Sequence, residues 1–383
     1  MRWFKGFGNQ VANLGFQWLG TTMPHPAAAV AAVSVVRTVS RMVMNAVAGF
    51  LVDIYNSPLW LWAAEMAGGI LLIAVAWLSH QNITLFLIFV FVYYGLLALS
   101  RVSRQVWVPR LVAPEDLAAV NATFGLITGF VPMLAYGLGG LVFTRGLRAP
   151  FAVAGVFFII AGGIALRQGP RDPNPVRNIQ GGAHLRRTMQ TVWSVRGLRG
   201  LLLVGSVINV GQSFFLIDLA WLARHVDRLS AWQYALALAV GSGSTLIASQ
   251  IKATYSIARL LWVGPVMVAL LSSGMEVAAG LLNWGGLVVA LCLVNAGTTI
   301  FNTIFTYMRQ RLVPREHLGT AGGFMTTWLN ICALVGLITA GILVHYWGLL
   351  VDLRFAGAIP WLAVPGLLLL VRRSARGAVK GTL

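Results

Sequence analysis

Apolar residues run along this chain in long unbroken stretches, with none of the strict alternation that a half-buried strand shows. Crossing the hydrocarbon of a bilayer takes about 20 such residues in a helix. The pattern predicts twelve helices: 4–23, 27–52, 58–79, 83–104, 116–143 and 149–167, then 199–222, 231–251, 258–282, 285–309, 317–346 and 355–372. The first is the most polar, holding Asn9, Gln10, Asn13 and Gln17, and it stops at Pro24 and Pro26. Only helices or closed barrels satisfy their own backbone in lipid, so continuous runs of this kind imply an all-α membrane protein.

One stretch occurs twice. Arg110-Leu111-Val112-Ala113-Pro114-Glu115-Asp116-Leu117 opens an apolar run ending in Gly139-Gly140-Leu141. Further on, Arg311-Leu312-Val313-Pro314-Arg315-Glu316-His317-Leu318 opens a run ending in Ala340-Gly341-Ile342. At this offset Arg110 falls on Arg311, Glu115 on Glu316, Leu117 on Leu318 and Gly140 on Gly341. A basic residue, a Pro/acid helix start and a glycine-ended apolar helix, repeated once, predict two related six-helix bundles, 1–167 and 199–383. Parallel repeats of that kind are a transporter architecture. Residues 168–198 would join them as a cytoplasmic linker. Within it, 184–197 (His184, Arg186, Arg187, Trp193, Arg196) has the composition of a basic helix lying on the inner leaflet, or of a mobile connection.

Composition adds the solvent. Of 383 residues, 58% are hydrophobic and 10% charged, against about 25% charged in soluble domains. Net charge is +18, but the basic residues sit at predicted membrane edges and form no single face, which removes a nucleic-acid partner. With both termini inside, most of the 28 Lys and Arg are cytoplasmic, and only Arg145, Arg148, Arg224, Arg228 and Arg354 lie outside. Cys292 and Cys332 lie in apolar runs, so no disulfide framework is expected. Histidines 25, 80, 225 and 345 map to outer edges, and neither a metal nor another cofactor is expected.

Several strings are similar to those of the major facilitator superfamily, and by eye to its enterobactin-exporter-like and drug-efflux branch. They are Asn13-Leu14-Gly15-Phe16-Gln17-Trp18 in the first span, and Arg37-Thr38-Val39-Ser40-Arg41 with Ala48-Gly49-Phe50-Leu51-Val52-Asp53 in the second. Leu111 to Ala122 follows the fourth. The resemblance covers nearly the whole chain. It implies the major facilitator fold, and for Asp53 a gating role against the start of the eleventh helix, whose dipole favours an anion. Arg101 and Arg104 would complete that lock. The chain departs from the pattern in a shorter first helix and outer loop and in three strings. Phe16 replaces the acid of helix 1, Ile54-Tyr55-Asn56-Ser57 replaces the basic residues after Asp53, and Ala135-Tyr136 replaces the Gly-Pro of the antiporter motif. These changes bear on proton coupling, and Asp218 is an alternative protonation site, or simply a residue reaching outer water.

Intramembrane charge is costly, about 2.5–3.5 kcal/mol by insertion scales, so Arg37 and Arg41 require a reason. They share one helix face. At about 1.5 Å per residue they lie roughly 22 and 16 Å above the inner end of their helix. Either they line a central cavity and attract an anionic group, or they form ion pairs, with Glu65 the plausible partner of Arg41. Glu65 is then more a structural partner than a proton carrier, and Glu276 reaches outer water. Asn13, Gln17, Gln212, Asn295 and Thr299 are further cavity candidates, as are Asn209 and Asn302; buried interhelical hydrogen bonds are the competing explanation. Gly137, Gly139, Gly140 and Gly341 are expected to allow close helix packing.

The function this supports is secondary transport, the export of a small amphipathic or anionic molecule (siderophore, drug or metabolite) by alternating access. The setting would be a bacterial inner membrane, with protons as the candidate coupling ion and a monomer as the working unit. The alternative is a transporter-like scaffold or assembly factor with no flux of its own. No nucleophile–base set or nucleotide loop suggests an enzyme or an ATP-driven pump.

Overall fold

In a computed structural model, the described residues are 2–23, 25–54, 57–78, 82–111, 117–167, 190, 192–194, 196–226, 228–249, 257–312 and 318–366. Among them are twelve α-helices of ten residues or more. They are α1 (Arg2–Gly20), α2 (Pro26–Ile54), α3 (Ser57–Leu78), α4 (Ile83–Leu111), α5 (Leu117–Phe143) and α6 (Ala149–Arg167). Then come α7 (Arg196–Trp221), α8 (Ala231–Ala248), α9 (Ile257–Gly280), α10 (Trp284–Leu312), α11 (Leu318–Trp347) and α12 (Leu349–Ala358). The fold is all-α. Seven helices are long and apolar enough to cross a membrane by length and composition. α1 and α2 are not among these seven; α1 carries four amides and α2 two arginines. The expected basic helix of 184–197 lies largely outside the described residues.

Helix starts follow local chemistry. Pro26 opens α2, where its missing N–H costs nothing. The Asn82 side chain accepts from the backbone N–H of Thr84 (2.9 Å) and Leu85 (3.2 Å) and caps α4. Ser230 and Gln233 form a reciprocal capping box ahead of α8. Asn283 accepts from the Gly286 N–H at 2.8 Å and caps α10. At the other end of α1, the Thr21 and Thr22 hydroxyls donate to the carbonyls of Trp18 and Leu19.

The last helix departs from expectation. It begins at Leu349, not near 355, and passes through a 3₁₀ turn at Ile359–Ala363. Gly348, at φ 84°, turns the chain in a single residue after α11. Arg354, expected in an outer loop, and Asp352 both fall between the expected spans 317–346 and 355–372. In the fold both are helical, with Asp352 buried and Arg354 exposed.

The chain forms two compact units, one of residues 1–179 with 223–239, the other of 180–222 with 240–383. In the first unit α1 packs on α5 and α6, α3 on α4 and α6, and α2 on α4. In the second, α7 packs on α11 and α12, and α9 on α10 and α12. Four of the five first-unit pairings, all but that of α2 on α4, recur among these with a shift of six helices. The core of the first unit is aromatic: Phe16, Phe86, Tyr93, Phe151 and Phe158 are all at most 2% exposed. Phe16, which stands where the family has an acid, packs on Phe86, Tyr93, Tyr94 and Phe151 at centroid distances of 5.1–6.0 Å.

α3 and α6 meet through glycines. A Cβ on Gly69 would lie 2.8 Å from the Gly155 carbonyl oxygen, and one on Gly155 would lie 2.8 Å from that of Gly69. Small residues of this kind let helices approach in lipid, where packing replaces the hydrophobic drive. Gly155→Leu should therefore cost about 1–3 kcal/mol as overpacking, read as a lowered thermal midpoint of the purified protein.

Candidate functional site

The polar residues of the first unit converge on one stripe of α1. Gln10, Asn13 and Gln17 keep i, i+3, i+7 spacing, so they share a helix face. Asn13 Oδ1 accepts from Arg37 Nη1 of α2 at 3.2 Å and from the Tyr94 hydroxyl of α4 at 2.7 Å. Gln10 Oε1 accepts from Tyr136 of α5 at 3.1 Å, and Gln17 Oε1 from Tyr234 of α8 at 3.0 Å. One step round the helix, Asn9 Oδ1 accepts from Tyr93 at 3.3 Å. Gln10, Asn13, Gln17, Arg37, Arg41 and Tyr136 are half-buried, whereas Tyr94 and Tyr234 are buried.

The two arginines are held by the approach of α2 to α4. The Ser40 hydroxyl donates to the Phe91 carbonyl at 2.5 Å. A Cβ on Gly95 would lie 2.9 Å from Met44 Cγ. This closeness sets both guanidinium groups against the Tyr94 ring, Arg41 at 4.8 Å and Arg37 at 6.0 Å from its centroid. Such contacts contribute about 0.5–2 kcal/mol. Neither arginine has a carboxylate within ion-pair distance among the described residues, and Arg41 Nε is buried with no hydrogen-bond partner among them. A further aromatic–cation contact lies beyond Gln17: Trp18 stacks on Tyr234 at 5.6 Å, with Arg224 over Trp18 and donating to the Thr21 hydroxyl at 3.0 Å.

Glu65 is not the partner of Arg41 that its depth suggested. Its carboxylate lies 3.2 Å from Lys5 Nζ of α1 and accepts from the Ser100 hydroxyl of α4 at 2.9 Å. Lys5 also donates to Ser100. Lys5, Glu65 and Ser100 are all buried. Lys5 is buried because α1 begins at Arg2 and carries it into the bundle. The physical reason is azimuth: similar depth along two helices does not make two side chains face each other.

In the second unit, Gln212 of α7 donates to Thr298 of α10 at 2.5 Å. Thr299, one residue on and about 100° round the helix, instead donates to its own helix at the Asn295 carbonyl, 2.8 Å. The Asn295 amide abuts Gly241 of α8, where a Cβ would lie 3.2 Å from Nδ2. Asn209 donates to the Gly205 carbonyl of its own helix, and Asn302 is exposed. Glu276 is exposed and lies against Gly357. Arg101 is exposed at the inner part of α4. Gly49 and Asp53 lie in the last turns of α2, but the surroundings of both, and the side chains of Arg104 and Asp218, fall outside the described residues.

The tyrosines are what a sequence reading misses. Their rings count as apolar in a hydropathy scan, and the hydroxyls that complete the polar stripe carry no periodic signal. Tyr136 offered the one clue, as it stands where the antiporter motif has its proline.

A family model described as Major Facilitator Superfamily matches residues 3–337. A comparison with the curated proteins finds no match. Among solved structures the chain is similar to a mutant form of the nucleoside transporter NupG, at 10% identity and TM-score 0.78, over 96% of this chain and 98% of that one. It is also similar to a bacterial homologue of the iron transporter ferroportin in an inward-facing state, at 15% identity and TM-score 0.71, over 97% and 96%. A third likeness is to a bacterial metal transporter, at 16% identity and TM-score 0.64, over 96% of each chain. At such identities the likeness concerns the fold.

Proposed function

The chain belongs to the major facilitator superfamily, and from that premise we propose that it exports a small anionic or amphipathic molecule by alternating access, with Arg37 in the substrate site. Family membership makes it a multi-pass membrane protein and a secondary transporter of a small molecule. What the molecule is, and which way it moves, is the reading argued here.

The observation that carries it is the pair of arginines without a carboxylate among the described residues. A structural intramembrane arginine is expected to pair with an acid or with backbone carbonyls of its own protein. Arg37 has instead one neutral amide and a tyrosine ring, and it stays half-buried. A group of that kind is balanced when an anion arrives, and the arrival of substrate is what alternating access requires of a site. The outward direction and the bacterial inner membrane, with both termini cytoplasmic, rest on the resemblance to efflux members and on the distribution of Lys and Arg.

The test is flux in proteoliposomes over a panel of siderophores, organic anions, drugs and lipids, with and without an imposed pH gradient. The expected result is saturable movement of an anionic or amphipathic compound. Dependence of that movement on the gradient would make protons the coupling ion. A panel that moves only cations, or nothing, would remove the reading.

A further inference from the structure

Given that Arg37 lines the substrate site, the polarity of the hydrogen bonds around it says which chemical group it takes. All four amide oxygens on α1 accept a hydrogen bond: Asn9 from Tyr93, Gln10 from Tyr136, Asn13 from Tyr94 and Arg37, Gln17 from Tyr234. A guanidinium only donates, so the side-chain oxygen of Asn13 must face it. An amide whose oxygen is engaged turns its NH₂ the other way. Arg37 uses one N–H on Asn13, and its remaining N–H groups make no hydrogen bond among the described residues. The phenol oxygens of Tyr94 and Tyr234 are buried with their rings, at 1% and 0% exposure. Apart from the phenol oxygen of Tyr136, what the half-buried stripe has left to offer is N–H donors beside two positive charges.

We propose that Tyr136 and Tyr234 are positioning residues that hold Gln10 and Gln17 with their N–H groups available, so that the Arg37 site selects an oxyanion, carboxylate or phosphate, over an amide or ammonium group of the same shape. Two oxygens on one centre match the planar fork of Arg37, and the glutamine N–H groups meet the outer lone pairs. An amide ligand brings N–H donors of its own, which meet carbonyl oxygens that a tyrosine hydroxyl already turns away from the site. An ammonium group meets like charge.

The test uses the purified full-length protein in lipid nanodiscs and four probes built on one ring: benzoate, phenyl phosphate, benzamide and benzylamine. Binding is read by calorimetry. The wild type should bind benzoate or phenyl phosphate at least about tenfold tighter than benzamide, the worth of one charge-assisted hydrogen bond, and should not bind benzylamine. Whichever anion binds tighter separates a carboxylate substrate from a phosphate ester. Tyr136→Phe or Tyr234→Phe frees the corresponding glutamine to rotate and present its oxygen, so the preference for anion over benzamide should narrow. A merely structural role would weaken both probes in proportion and leave the ratio unchanged, which overturns the proposal. Arg37→Lys should retain weaker anion binding, since charge survives and the fork does not. Benzamide or benzylamine binding as well as the anions, or neither anion binding, also overturns it. If benzamide binds and that binding is lost in Arg37→Ala, Arg37 stays in the site and only the oxyanion selection falls; if no probe responds to Arg37→Ala, the reading of the site falls with it.

Discussion

Arg37→Ala should reduce flux by about tenfold to a hundredfold while leaving the protein at least as stable as the wild type. The flux loss follows from removing a charge-assisted hydrogen bond, about 1.5–3 kcal/mol, at about 1.4 kcal/mol per factor of ten. The stability side follows from the cost of holding an arginine at membrane depth, about 2.5–3.5 kcal/mol by insertion scales. Within the protein that cost is met by one hydrogen bond to Asn13 and a ring face at 6.0 Å. Removing the guanidinium leaves Tyr94 still donating to Asn13 at 2.7 Å, so no partner is orphaned. Transport in proteoliposomes and the thermal midpoint of the same preparation check both halves. A loss of function with a rise in stability is the mark of a residue kept for binding. A fall in both would make Arg37 structural.

Glu65→Ala should behave in the opposite sense. Lys5 and Glu65 are 7% and 0% exposed and 3.2 Å apart. Truncating one partner of a buried pair strands the other charge, at about 3–5 kcal/mol. The thermal midpoint should fall steeply and expression with it. Replacing both at once, Lys5→Met with Glu65→Leu, should restore most of the loss, because two apolar chains of similar volume carry no desolvation cost. The double variant should also retain flux. If it folds well and transports nothing, the pair belongs to the coupling machinery and not to the scaffold.

The contrast between these two charged sites also shows what the sequence could reveal. Helix positions were legible because apolar runs have length, and the caps at Asn82, Ser230 and Asn283 stand where the runs begin. Height along a helix follows from the fixed rise per residue. Rotation about each helix axis does not, since it is set by which neighbours pack where. Glu65 therefore seemed matched to Arg41 by height, and it faces Lys5 instead. The same gap hid Thr298 behind Thr299: one residue of register decides which hydroxyl meets Gln212. The expected start of the last helix, 355, is too late, since Gly348 alone makes the turn and the helix begins at Leu349. Asn13 and Gln17 stood out as polar positions in an apolar span. The phenols that orient them did not, for a tyrosine in lipid is read by its ring.

The most direct test is a structure of the protein determined with a transported anion bound. The anion's oxygens should lie within hydrogen-bonding distance of the Arg37 guanidinium, with Gln10 or Gln17 donating to them and the Tyr136 and Tyr234 hydroxyls still held on those amides. Ligand density elsewhere, with Arg37 still resting only on Asn13 and Tyr94, would contradict the account.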